Sequence, residues 1–381
     1  MAELRIEGLV KRFGSFTAVN EVDMLVGDGE FVFLLGPSGC GKTTTLRMIA
    51  GLEMPTDGRI EIGGRNVTYL HPRHRNVGMV FQDYGLYRHM TVFGNIAYPL
   101  KVRGFSRAVT AQKVNTVAST MQIADVLARK PDQLAPGHLQ RVALARMLVR
   151  DAAIFLMDEP MSHLDAQLRG QMRAELRHLQ KEIGTTAIFV THDQLEAMTM
   201  ADRIIVMRDG RMLQIATPLE IFERPADVFT ATFVGEPQMN VMDATLRRSA
   251  DGPVADVGPF AVPLGEAWAN ANDLGRREGH KVRLGIRPEH ISLAADVDAE
   301  HRLAGELYSF EPTGAENLYV VRAGDVEVTT RNSTTETASL GKHECTTLAM
   351  RFNPDWIYLF DAESGKTIAH AAASQDGRSQ L

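Results

Sequence analysis

The sequence predicts an α/β domain built on a parallel sheet, with a helical subdomain, followed by a small all-β barrel. Three observations carry this. An apolar run, Phe31 to Leu35, leads into the glycine-rich stretch GPSGCGKT and then into a helix-like segment, Thr44 to Ala50. Apolar runs alternate with helical stretches from Ile154 to Val206, the pattern of a parallel sheet covered by helices. After about residue 235 helical periodicity gives way to short β-like runs separated by turn residues.

Taken in order, residues 3 to 35 alternate short apolar runs with turns such as Gly27-Asp28-Gly29, which predicts an antiparallel edge sheet. GPSGCGKT then fits the phosphate-loop pattern G-x-x-x-x-G-K-[ST] at every fixed position. Backbone N–H groups along Gly36, Pro37, Ser38, Gly39, Cys40, Gly41, Lys42, Thr43 and Thr44 can wrap phosphates, Pro37 excepted, and the helix N-terminus adds partial positive charge. Lys42 is placed to reach the β- and γ-phosphates of a nucleotide, and the Thr43 hydroxyl to hold Mg²⁺. A chance glycine-rich turn would lack the strand before it and the helix after it.

A turn-rich hairpin follows, Gly58 to Asn66, and residues from about 84 to 150 read as mostly helical, with Val114, Val117 and Met121 on one face. The run AIFLM, Ala153 to Met157, ends in Asp158 and Glu159. A buried strand that delivers adjacent carboxylates suits ATP hydrolysis: Asp158 for Mg²⁺, through water, and Glu159 to polarise the attacking water. Solvated acids at a strand end are the bland alternative. They lose ground because a further apolar strand, Thr186 to Val190, ends in Thr191-His192-Asp193. His192 can sense a γ-phosphate by donating a hydrogen bond. Between these strands Leu168, Met172, Leu176, Leu179 and Ile183 form an amphipathic stripe, read as core rather than interface.

In combination these motifs make the chain resemble the ATP-binding subunit of an ABC transporter, in the importer subclass that serves maltose, other sugars and glycerol 3-phosphate. The resemblance covers about residues 3 to 369 and implies a RecA-like core plus helical subdomain. Within MVFQDYGLYRHMTVFGNI, Gln82 stands at the Q-loop position, which touches Mg²⁺ and links the ATP site to the membrane subunits. Phe13 occupies the place of the aromatic that stacks on adenine. Ser162-His163-Leu164-Asp165 matches the D-loop at the dimer interface, with Asp165 closing it. The segments GIRPEH and RFNPDWIYLFDAESGKTI resemble the OB-like (TOBE) C-terminal domain, which in the family aids dimerisation and regulation. The implied domains are 1–235, with the helical subdomain at about 84–150, then 236–369, and a disordered tail at 370–381.

One motif departs from the family. Where the signature reads LSGGQQQR, this chain reads LAPGHLQR: Ala135 replaces Ser, Pro136 replaces Gly, Gly137 is kept and His138 replaces Gln. In the family this helix start is offered to the γ-phosphate bound by the partner subunit. Ala135 has no hydroxyl and Pro136 no N–H. Each lost hydrogen bond to a charged phosphate is worth roughly 1.5–3 kcal/mol. A homodimer would carry the deficit twice, so the resemblance favours a heterodimer with a second ATPase subunit.

The bulk properties fit. At 381 residues two or three domains are expected; 44% hydrophobic and 23% charged residues are ordinary for a globular protein. A net charge of −6 provides no basic field for nucleic acid. The two cysteines, Cys40 and Cys345, imply no disulfide framework, and His343 with Cys345 makes no zinc site. His71, His74 and His89 read as solvated loop residues, and Arg141, Arg146 and Arg150 as a solvated helix face with ion pairs. No apolar run is long enough to span a membrane. The implied partners are two integral-membrane permeases, a second ATPase subunit and, indirectly, a periplasmic or extracellular binding protein. The implied cofactors are ATP and Mg²⁺, and the location is the cytoplasmic face of the inner membrane. The alternatives are a weakly hydrolysing regulatory subunit and a soluble ABC protein outside transport.

Overall fold

The computed structural model describes residues 2–250, 252–295, 303–338, 340 and 347–371. The readings made above for His343, Cys345 and residues 372–381 lie outside them. The chain divides after Pro218 into two compact units.

The first unit opens with β1 (Leu4–Phe13) and β2 (Phe16–Val26), an antiparallel hairpin. β3 (Phe31–Leu35) is buried along its whole length and feeds α1 (Lys42–Ala50). Gly51 ends α1 in the left-handed conformation, as glycine does most cheaply. β4 (Asp57–Ile62) and β5 (Arg65–Asn66) form the expected second hairpin, and β6 (Val77–Val80) follows. Three helices come next: α2 (Val92–Val102), α3 (Arg107–Thr120) and α4 (Pro136–Leu148). Thr91 and Ser106 cap α2 and α3 with their hydroxyls. Then β7 (Ile154–Asp158), α5 (Ala166–Ile183), β8 (Thr186–Thr191), α6 (Gln194–Met200), β9 (Arg203–Arg208) and β10 (Arg211–Ala216) alternate.

Two sheets result. The antiparallel one has the order β2-β1-β4-β5, and the second has the order β10-β9-β3-β8-β7-β6. In the latter only the β10 edge is antiparallel. The parallel strands read as unbroken apolar runs because both of their faces are covered. One core of Leu4, Ile6, Val32, Leu34, Ile49, Ile154 and Ile188 joins both sheets and α1. The α5 stripe is core only at its centre: Met172 and Leu176 are buried, Leu168 and Leu179 half-buried, and Ile183 exposed. On α3, Val114 is buried and Val117 half-buried.

Buried Arg75 ties α1 into this unit. Its guanidinium donates to Met48 O (2.6 Å) and Ile49 O (3.0 Å) at the helix C-terminus, and to Leu70 O (2.8 Å) and Thr68 O (2.7 Å). Burial away from water pushes its pKa down to about 10.

The second unit begins with α7 (Pro218–Glu223), which starts at the division point, and α8 (Val228–Phe233). It continues through β11 (Asn240–Ser249), β12 (Gly252–Asp256), β13 (Ala261–Pro263), α9 (Glu266–Ala271), β14 (Lys281–Ile286), β15 (Ile291–Ala294), β16 (Leu303–Pro312), β17 (Glu316–Ala323), β18 (Val326–Ser333), β19 (Thr347–Phe352), β20 (Ile357–Asp361) and β21 (Thr367–Ala369). The strands form two antiparallel sheets, β13-β12-β11-β14-β20-β21 and β15-β19-β16-β17-β18, around one core that includes Leu284, Ile286, Leu307, Tyr319, Val321 and Leu359. This is the OB-like barrel.

Residues 219–235 go with the barrel, ahead of the change in composition at about 235. Ala231 of α8 packs with Met239, Tyr358 and Phe360. Buried Arg287 donates to Phe222 O (2.7 Å) and Val234 O (2.8 Å) and lies 3.6 Å over the Phe222 ring.

Candidate functional site

The site forms where β3, β7 and β8, neighbours in the sheet, end on the same side. β3 delivers the phosphate loop. Its turn needs glycine at two places. A Cβ on Gly36 would meet Met207 O at 2.3 Å, and one on Gly41, whose φ is 103°, would meet Ala18 O at 2.5 Å. Lys42 is buried at the start of α1, and its ammonium donates to Gly36 O (2.7 Å) and Pro37 O (2.8 Å). Among the described residues no carboxylate forms an ion pair with it. A buried cation with no carboxylate partner favours an anionic ligand. Cys40 lies under the loop, its sulfur 3.8 Å from the Lys42 ammonium, and burial pushes the thiol pKa up.

β7 brings Asp158 and Glu159. The Thr43 hydroxyl donates to Asp158 Oδ1 at 2.9 Å, so two oxygen ligands suited to Mg²⁺ already face each other. Burial raises the Asp158 pKa, and the Thr43 hydrogen bond opposes the rise. Glu159 takes a positive φ of 44°, and its Oε2 lies 3.1 Å from His192 Nδ1 at the end of β8. Ser162 donates to Glu159 O (3.0 Å). Asp165 caps α5 by accepting from Leu168 N–H (2.9 Å).

Gln82 is exposed, in a turn two residues past Val80, the last residue of β6. Phe13, at the tip of the β1–β2 hairpin, is 48% exposed with the Lys11 ammonium 4.7 Å from its ring centre. Ala135 is the N-cap of α4 and makes no side-chain capping bond; Pro136 is the first helical residue. His138 N–H and Leu139 N–H both donate to Ala135 O. Gly137 is buried, and a Cβ there would meet Leu168 Cδ2 at 2.8 Å.

The segment after Gln82 is pinned in a way that the sequence reading missed. Arg146 is not on a solvated face. It is half-buried and donates to Tyr84 O (2.8 Å) and Gly85 O (2.7 Å). The fully buried Asn95 accepts from Tyr87 N–H (2.8 Å) and donates to Tyr87 O (3.0 Å) and Thr91 O (3.0 Å). Arg141 does form the expected ion pair, with Glu175 at 2.7 Å. Also missed was Glu196, buried in α6 behind His192. A carboxylate one helical turn after a strand-end histidine was the available signal.

Fold and site together define a P-loop ATPase with a helical insertion and an appended barrel. Comparison with known proteins narrows this. Residues 19–162 match the family described as ABC transporter, 235–291 the MalK OB fold domain and 284–360 the TOBE domain. The chain is 43% identical to the xylose/arabinose import ATP-binding protein XacJ of Haloferax volcanii, over 99% of this chain and 98% of that one. It is 42% identical to the sn-glycerol-3-phosphate import ATP-binding protein UgpC of Salmonella typhi, over 97% and 100% respectively. A solved structure of the ATP-binding cassette MJ0796, a dimer in a post-hydrolysis state with ADP and Pi, matches with a TM-score of 0.52 and 29% identity, over 56% of this chain and 98% of that one.

The chain therefore belongs to the family of import ATP-binding subunits of ABC transporters. It is an ATPase coupled to transport that uses ATP with Mg²⁺. Among the described residues no helix is long and apolar enough to cross a membrane.

Proposed function

We propose that this chain energises import of a sugar, polyol or glycerol phosphate from the cytoplasmic face of the membrane, beneath two integral-membrane permeases that take substrate from an external binding protein. The observation that carries the catalytic part is the convergence of two close pairs, Thr43–Asp158 and Glu159–His192, beside the loop that buries Lys42. Loop N–H groups and Lys42 hold the phosphates, and Phe13 stacks on the base. Thr43, Asp158 and Gln82 hold Mg²⁺, which when bound neutralises phosphate charge. Glu159 draws a proton from the attacking water, and His192 holds Glu159 while facing the γ-phosphate.

The test is Glu159→Gln. It should keep ATP affinity within about twofold and cut hydrolysis by at least about 10²-fold, the usual scale for a lost general base. Near-normal turnover in the assembled transporter would refute the role.

The start of α4 favours a second element of the proposal, a heterodimer. With no hydroxyl at Ala135, no N–H at Pro136, and the His138 and Leu139 N–H groups turned to Ala135 O, this helix offers a partner's phosphate little beyond Gly137 N–H. A second ATPase subunit with an intact signature would complete this chain's own loop. Full transport-coupled hydrolysis by the transporter assembled with this chain alone would refute it.

A further inference from the structure

His192 stands on a turn between β8 and α6, and its side chain is 55% exposed. Beyond its approach to Glu159, the residues on either side of it are gripped. Thr191 Oγ1 accepts from Asp193 N–H (2.9 Å) and donates to Glu196 Oε2 (2.7 Å). Asp193 Oδ1 accepts from Glu196 N–H (3.1 Å), capping α6. Asp193 Oδ2 pairs with Arg169 (3.0 Å), which also donates to Leu164 O (3.2 Å) in the D-loop segment. Glu196 is only 4% exposed, and its carboxyl is bonded to a hydroxyl rather than to a cation.

We propose that Glu196 is a positioning residue: its carboxyl, through Thr191, locks the turn that aims His192 at Glu159, and gaining a charge there unlocks it. α6 packs against β3, β8 and α5. β3 and β8 carry no titratable side chain. The charged groups facing Glu196 are therefore Asp193 at its own helix start and Arg169 and Arg173 on α5. Burial dominates these and pushes Glu196 up to about 7, with the Thr191 hydroxyl pulling down and Asp193 pushing up. A neutral carboxyl sits in the pocket at no electrostatic cost. A carboxylate there, beside Asp193, favours opening of the turn towards water. The consequence for hydrolysis rests on the role given to His192 above; the grip on the turn does not.

The experiment follows amide hydrogen exchange at Asp193 and Glu196 in the full chain between about pH 4 and 8, corrected for the intrinsic rate, in wild type, Glu196→Gln and Glu196→Ala. Wild-type protection should fall as pH rises from the ordinary carboxylate value of about 4.5 to about 7, at up to about tenfold per pH unit, and level off above that. Glu196→Gln, which keeps an acceptor for Thr191 without a charge, should hold a flat profile, and Glu196→Ala should be unprotected throughout. A wild-type profile identical to that of Glu196→Gln, or a protected turn in Glu196→Ala, overturns the proposal. A parallel pH profile of ATP turnover should show kcat following protection with KM unchanged. If protection follows Glu196 while kcat does not, the grip stands and the role of His192 fails.

Discussion

Restoring the signature separates a structural from a catalytic effect, because the two have different sizes here. Ala135 sits at the N-cap of α4 with φ −69° and ψ 156°, the geometry in which a serine side chain accepts a first-turn N–H. Ala135→Ser alone should therefore stabilise the first unit by about 1 kcal/mol. In a unit of about 220 residues that is a rise in Tm of about 2–4 °C. Pro136→Gly returns an N–H but loosens the unfolded chain, costing about 0.4–1 kcal/mol. The double variant should thus melt within about 1 kcal/mol of the parent. Its catalytic gain should be larger. One recovered hydrogen bond to a charged phosphate is worth roughly 1.5–3 kcal/mol, which is at least about tenfold in rate. The assay is phosphate release by the transporter assembled with this chain as its only ATPase, alongside circular dichroism melting. If Ala135→Ser raises Tm but the double variant leaves turnover unchanged, the introduced serine would act as a cap and nothing more. Gly137 and the helix start would then suffice, and the argument for a heterodimer would fall.

Three further outcomes can be checked. Gly41→Ala forces a Cβ to within 2.5 Å of Ala18 O at a positive φ, so titration with a fluorescent ATP analogue should show affinity weakened at least about tenfold. Arg75→Met removes four hydrogen bonds to buried carbonyls and should cost on the order of 3–5 kcal/mol, a Tm loss of roughly 10 °C by circular dichroism. His290 stacks on Trp356 at 4.0 Å, and burial holds its pKa well below the usual imidazole value. The unfolded chain then binds a proton that the folded chain refuses. Its contribution to stability is present above the unfolded pKa and is lost on acidification, at up to about 1.4 kcal/mol per pH unit. Both tryptophans lie in the second unit, so their fluorescence should report this loss below about pH 6.5, and His290→Phe should flatten it.

The nucleotide site was legible because its chemistry is local. Loop, carboxylate pair and histidine each follow an apolar run, and such runs identify themselves without knowledge of their neighbours. The supporting residues were not legible, because Arg146, Asn95, Arg75 and Glu196 work through partners known only after folding. Arg146 reaches the backbone of Tyr84, 62 residues away. Several barrel strands are hard to read from the sequence for a different reason. β11 and β16 alternate buried and exposed residues, so no continuous apolar run marks them, whereas β20 is apolar and buried over Ile357 to Phe360 and reads as one run. A period-two count over NVMDATL or LAGELYS would have revealed them.

The sheet order also bears on how the protein is made. β3 lies in the middle of its sheet, paired with β8 on one side and β9 on the other. Both neighbours are translated after more than a hundred intervening residues, so the strand that carries the phosphate loop leaves the ribosome with neither edge covered. A nascent chain halted at Ala201 would present an apolar strand, FVFLL, with one edge bare, open to pairing with another chain. Synthesis of this protein thus passes through a window in which the strand that carries the phosphate loop has an uncovered apolar edge.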